Sequence, residues 1–194
     1  EDYFNKNQIQ NFKKISSKVE EEINQTLIKH ILNSSGIINY NDSQFDMVRL
    51  GLGLYGVDPA NKLKLETVTS LYAQISQIKT VKKGETIGYG RVGKATNEIK
   101  IATVNIGYAD GVSRALSNGV GEVFVNGKIA KIIGNVCMDM LMIDVTDIDC
   151  KESNSVELLG SNIKVENVAK KINTIPYEIL TSISERVKRI YFQK

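Results

Sequence analysis

The sequence predicts a mainly β protein: a barrel-like β region from about residue 59 onward, preceded by an α/β piece with too few strands to close a sheet of its own. Three observations carry this. Residues after Pro59 fall into short β-branched runs separated by turn residues. Residues before it follow the order helix, apolar run, turn, apolar run, which is the rhythm of an α/β layer or barrel. The hydrophobic period changes at Asp58-Pro59, although no Pro/Gly-rich linker marks the place.

From Lys6 to Asn24, Ile9, Phe12, Ile15, Val19 and Ile23 recur at three- and four-residue steps among lysines and glutamates, predicting an amphipathic helix. Thr26 to Leu32 is a short apolar run predicted to be a buried strand, and it feeds a turn or helix start at Asn33-Ser34-Ser35-Gly36. Met47 to Gly56 is apolar except for Arg49, which predicts a parallel strand covered on both faces. Two strands cannot form a closed sheet, so the expectation is the back part of a longer protein.

In the β region, Thr67 to Ile78 and Glu98 to Ile106 alternate, with a turn at Lys82-Lys83-Gly84-Glu85 between them. Gly121 to Lys128 reads as a hairpin with an Asn126-Gly127 turn, because both central residues of that turn type need φ > 0. Ala130 to Val136, Met140 to Val145 and Ser155 to Leu159 complete the predicted strands. A short helix at Glu166 to Lys171, the segment Thr174 to Leu180 and a basic end at Arg186-Val187-Lys188-Arg189 follow.

The composition narrows the function. With 194 residues, 42% hydrophobic and 24% charged, the chain can bury a core as one large domain or two small ones. The net charge of +3 comes from interleaved basic and acidic residues without tryptophan, so there is no footprint of nucleic-acid binding. No apolar run reaches the length of a membrane span, and the first residues lack the layout of a signal peptide. Cys137 and Cys150 have no metal-type spacing, and a cytoplasmic protein with two free thiols is expected.

The chemistry concentrates between Gly84 and Gly111. Tyr89 and Tyr108, each beside glycine, flank the predicted strand, so each phenol can be held at a strand end facing a ligand. Gly88, Gly90 and Gly93 spell G-x-G-x-x-G, but the residues that follow predict a turn and a strand rather than the helix a dinucleotide needs. A nucleotide site is therefore set aside.

In order, HILNSS, FDMVRLGLGLYG, GYGR, IGYADG, NVCMDM, TIPYE and SERVKR resemble the C-terminal half of bacterial alanine racemases, which depend on pyridoxal 5'-phosphate. The resemblance runs nearly end to end. It implies residues 1–58 as the remnant of a TIM-type (β/α)8 cofactor barrel and residues 59–194 as the C-terminal β domain. It also implies interconversion of L- and D-alanine through a cofactor aldimine, for peptidoglycan synthesis. Tyr89 falls on the catalytic tyrosine, the base for L-alanine, while the lysine that serves the opposite face and binds the cofactor is expected upstream of Glu1. A phenol is neutral near pH 7, so a basic role requires neighbours that favour the phenolate. The resemblance further implies cofactor contacts by His30, Asn33, Ser34, Arg49, Gly51, Leu52 and Tyr177. Ser34 and Tyr177 would meet the phosphate, and Arg49, oriented by His30, the pyridine nitrogen. Met138 would bind the substrate carboxylate through its backbone N–H, and Tyr108, Arg114, Asp139 and Ile175 would line the narrow way in. Asn135 departs from the family, many of whose members have arginine there.

The resemblance implies a homodimer with composite sites, Tyr89 and Met138 completing the partner's. The chain alone is expected to be inactive, and no metal is implied. A fragment of a serine or broad-specificity racemase, and a non-catalytic β-barrel interaction module, are the alternatives at this stage.

Overall fold

The computed structural model describes residues 2–60 and 62–192. The chain divides into two compact units, Glu1–Val68 and Thr69–Lys194.

The first unit opens with helix α1 (Asp2–Ile23), where the apolar spacing predicts one. Of its apolar stripe only Ile9 is buried, and Phe12 meets Phe45 edge to face with ring centroids 5.2 Å apart. Glu20 then fastens the exit from the helix, accepting from the Leu27 N–H and from Lys29 Nζ, both at 2.8 Å. Helix α2 (Ser34–Asn39) follows, with the Asn33 side chain accepting from the Gly36 N–H as its N-cap.

Two predicted strands of this unit are not strands. Residues 26–32 form no ladder: the backbone bonds that join them to residues 46–49 run one way, Asp46 and Met47 donating to the Lys29 carbonyl and Arg49 to that of Leu32. Residues 47–56 fail as a strand for a second reason. Gly51 leaves the extended region at φ −119 and ψ −88, Leu52–Tyr55 winds into a 3-10 turn, and Gly56 ends it at φ 76. Met47, Leu50, Leu54 and Tyr55 are exposed, so the run is not covered on both faces.

The second unit is the predicted β barrel. Its strands are β1 (Leu71–Val81), β4 (Ile99–Val104), β5 (Glu122–Val125), β6 (Lys128–Ile133), β7 (Leu141–Asp144) and β8 (Ser155–Leu159), closed in the order β1-β4-β7-β6-β5-β8. The short pair β2 (Thr86–Ile87) and β3 (Gly93–Lys94) forms a separate two-stranded sheet. Every barrel pairing is antiparallel, and a two-residue turn joins β5 to β6. The Asn126-Gly127 turn has both residues at positive φ, 45 and 83, and pairs Val125 with Lys128.

Inward residues of successive strands, among them Ile75, Ala102, Val104, Val123, Val125, Ile132, Leu141, Ile143 and Val156, make one core. Helices α3 (Val165–Lys171) and α4 (Pro176–Thr181) add Val168, Ala169 and Ile179 to it. Gly93 itself begins β3, so the glycine triad opens no helix. Among the described residues no helix is long and apolar enough to cross a membrane.

Candidate active site

In the second unit, the segment Gly134–Asp139 leads out of β6 and ties three turns together. The first turn carries Tyr89, on the 3-10 turn Tyr89–Arg91 between Gly88 at φ 73 and Gly90 at φ 68. Both glycines occupy the left-handed region, and a Cβ on Gly88 would lie 2.8 Å from Cε of Met142. Asn135 Nδ2 donates to the Tyr89 carbonyl at 3.0 Å, and Asn118 Nδ2 donates to Asn135 Oδ1 at 3.2 Å. Tyr89 is 76% exposed, so its phenol stands clear of the barrel core.

The second turn carries Tyr108. Its N–H and that of Ala109 donate to the carbonyls of Cys137 and Met138 at 2.9 and 3.0 Å. Gly107, just before it, lies against the Cys137 and Met138 backbone so closely that a Cβ would overlap both carbonyls. The third turn, Arg114–Leu116, carries exposed Arg114; the Arg114 carbonyl accepts from Ser117 Oγ, which accepts in turn from the Val136 N–H at 3.0 Å. One segment, which carries Met138 and Asp139, is thus bonded to the turns of Tyr89, Tyr108 and Arg114.

The C-terminal residues clamp this arrangement. Arg186 donates from Nε to Asp110 at 2.7 Å and from NH2 to Asp139 at 2.5 Å. Burial pushes the Asp110 carboxyl up, but the Arg186 guanidinium and the Gly107 N–H outweigh it and hold the group below its ordinary value. Its two carboxylate partners raise Arg186 in turn. Ser182 Oγ donates to the Gly111 carbonyl and the Ser184 N–H to that of Asp110, so the exit of α4 is fastened to the Tyr108 turn. Ile175 is the N-cap of α4, Pro176 opens it and Tyr177 follows, the two candidates being exposed. Arg186 is the site residue that sequence reasoning passed over, although the basic end of the chain contained it.

In the first unit, Ser34 is 3% exposed, and its Oγ accepts from the N–H groups of Gly51 and Gly53 at 3.1 and 3.3 Å. Leu52 lies between those glycines and is buried. Arg49 NH2 donates to the Ile31 carbonyl at 3.0 Å, one residue from His30, which is exposed. Asn33 and Arg49 line an open polar cleft of about 780 Å³ with Ile31, Leu32, Gly36 and Tyr40. Ser34, Gly51 and Leu52 are thereby brought together, as are Asn33 and Arg49.

A more enclosed apolar cavity of about 360 Å³ lies in the second unit under α3 and α4, lined by Leu116, Ile132, Val168 and Ile179. It contains none of the candidate residues. Among the described residues no group of three or more His, Cys, Asp or Glu could hold a metal ion.

The family described as alanine racemase, C-terminal domain, matches residues 68–191, and that described as alanine racemase, N-terminal domain, matches residues 1–59. Alanine racemase 1 of Caldanaerobacter subterraneus subsp. tengcongensis is 38% identical over 196 residues, covering 96% of this chain and 50% of the relative. Alanine racemase of Helicobacter pylori is 38% identical over 200 residues, covering 96% and 53%. The alanine racemase of Clostridium difficile 630 in complex with cycloserine superposes with a TM-score of 0.88 at 36% identity, over 96% of this chain and 51% of its own. That of Bartonella henselae with covalently bound pyridoxal phosphate gives 0.87 at 38% identity, over 97% and 52%. The chain spans about half the length of the relatives it matches.

Proposed function

Because the chain belongs to the alanine racemase family, we propose that it supplies the C-terminal part of a holoenzyme that interconverts L- and D-alanine, with Tyr89 as one of two bases. The observation that carries this reading is the Tyr89 phenol itself: exposed, mounted on a glycine-flanked turn, and tied to the segment that holds Met138.

The residues present fit pyridoxal 5'-phosphate. Ser34 Oγ accepts from the N–H groups of Gly51 and Gly53, which leaves its hydroxyl hydrogen to donate to a phosphate oxygen. Arg49 offers a guanidinium that does not give up its proton, so it would donate to a pyridine nitrogen and leave that nitrogen unprotonated. Asn33 holds the start of α2 beside this hydroxyl. Tyr177 and His30 keep the cofactor-directed roles that the resemblance implies. The cofactor, when bound, supplies the electron sink that makes the Cα hydrogen of an attached amino acid acidic.

The Tyr89 phenolate takes that hydrogen as a proton from one face of the substrate carbon, or the phenol returns it there. The Met138 backbone N–H orients the substrate carboxylate. Tyr108, Arg114, Asp139 and Ile175 narrow the approach to small amino acids. The opposite face is served by a lysine placed outside these 194 residues. A homodimer in which Tyr89 and Met138 complete the partner subunit's site agrees with their exposure here. The D-alanine would serve cell-wall precursors in the cytoplasm.

The test is assembly. Joined by the remaining half of a racemase, the chain is expected to bind the cofactor and racemise alanine, and alone to racemise negligibly. Turnover by the purified 194-residue chain with pyridoxal 5'-phosphate would contradict the division of the two bases.

A further inference from the structure

We propose that Asn135 is a positioning residue for Tyr89, holding the tyrosine's turn through its backbone rather than through its ring. The inference rests on Tyr89 being a base, and it begins from what the turn lacks. Gly88 and Gly90 both stand at positive φ, so the residues on either side of Tyr89 have the widest backbone freedom of any residue type. The ring is 76% exposed and gains little orientation from packing.

Inside the strip that carries the turn, beside the β2–β3 pairing, the Arg91 N–H donates to the Gly88 carbonyl at 3.2 Å, and Arg91 Nε donates to Thr86 Oγ1 at 3.2 Å. The strip packs Ile87 and Ala95 with Ile101, Cys137 and Met142 of the barrel, while Tyr89 itself is tied there by the Asn135 side chain, which donates from Nδ2 to the Tyr89 carbonyl at 3.0 Å across 46 residues of chain.

The amide is itself aimed. Asn118 Nδ2 donates to Asn135 Oδ1, which leaves Nδ2 facing the tyrosine carbonyl, and the Asn118 N–H donates to the Gly134 carbonyl at 2.9 Å. A carboxylate at 135 would accept from Asn118 equally well but would turn a second acceptor toward the Tyr89 carbonyl. Aspartate is therefore the informative replacement, close in shape and lacking the donor.

The experiment compares wild type, Asn135→Ala, Asn135→Asp and Tyr89→Phe in two readouts. In the 194-residue chain without cofactor, amide hydrogen exchange at Arg91, whose N–H donates to the Gly88 carbonyl, is expected to quicken about tenfold in both Asn135 variants, the loss of one hydrogen bond, while barrel amides are unchanged. In the holoenzyme containing the chain, kcat is expected to fall about tenfold in both with little change in KM. If Tyr89→Phe is inactive while both Asn135 variants keep wild-type exchange and kcat, the positioning role is wrong and the base stands. If Tyr89→Phe racemises normally, the base is wrong instead. Equal acceleration of exchange across the whole barrel would make Asn135 a general stability residue and would also overturn the proposal.

Discussion

Arg186 and Asp139 are joined across 47 residues of chain by a bond of 2.5 Å between guanidinium and carboxylate, and the same guanidinium holds Asp110. The C-terminal residues are therefore part of the candidate site's frame. Replacing Arg186 by Gln removes both charge-assisted bonds and leaves Asp110, whose side chain is 13% exposed, with only the Gly107 N–H. The second unit is expected to lose stability, seen as a lower denaturant midpoint. Denaturant unfolding of the second unit measures it.

Glu157 is a buried carboxylate in the barrel wall, accepting from the Asn162 N–H at 2.7 Å, the Ile163 N–H at 3.0 Å and Asn162 Nδ2 at 2.8 Å. These partners are all donors, so Glu157→Gln turns an amide N–H₂ against them. A cost of about 2–3 kcal/mol is expected by thermal or denaturant unfolding, far above that of a neutral surface change.

Acid is predicted to weaken the second unit for the same reason. Burial raises the Glu157 carboxyl, but the Asn162 and Ile163 bonds outweigh it, and the folded value lies below the ordinary 4.5; Asp110 likewise lies below 3.8. A group with a depressed folded pKa stabilises fully above its unfolded value, and that contribution is lost as pH falls through the folded one. Unfolding temperature should thus hold from neutral pH to about 5 and drop below about 4. Glu157→Gln should flatten that drop.

Gly107 has ordinary φ, −150, yet no room: its Cβ position overlaps the Cys137 and Met138 carbonyls. Gly107→Ala must separate the Tyr108 turn from the segment carrying Met138. It is expected to cost about 3 kcal/mol of stability, the upper end for overpacking. A control at Gly119, whose Cβ position is open, should cost only what its φ of 85 imposes.

Ser34→Ala leaves the Gly51 and Gly53 N–H groups without the hydroxyl they now share. Cofactor affinity in the holoenzyme is expected to fall about tenfold or more, read from a pyridoxal 5'-phosphate titration. Unchanged affinity would remove Ser34 from the phosphate seat.

How far the sequence was legible depends on the range of the forces involved. Local turn chemistry was plain: Asn126-Gly127 makes its hairpin, and Ser155–Leu159 is a strand residue for residue. The apolar runs at 26–32 and 47–56 misled, because hydrophobicity without paired backbone neighbours does not make a strand, and three glycines lie between 51 and 56. The role of Gly134–Asp139 as a common anchor could not be read at all. Its bonds run through carbonyls and one amide to turns far away in sequence, and backbone acceptors leave no mark on residue identity. Arg186 was visible only as one charge in a basic end, since nothing in the sequence paired it with Asp110 and Asp139.

The account stands on the Tyr89 phenol acting on one face of the substrate carbon. The direct measurement is exchange of the alanine Cα hydrogen with deuterated water in the holoenzyme carrying Tyr89→Phe, each enantiomer being followed separately. The prediction is that L-alanine no longer exchanges, D-alanine still does, and racemisation is lost. Exchange of L-alanine at the wild-type rate would contradict it.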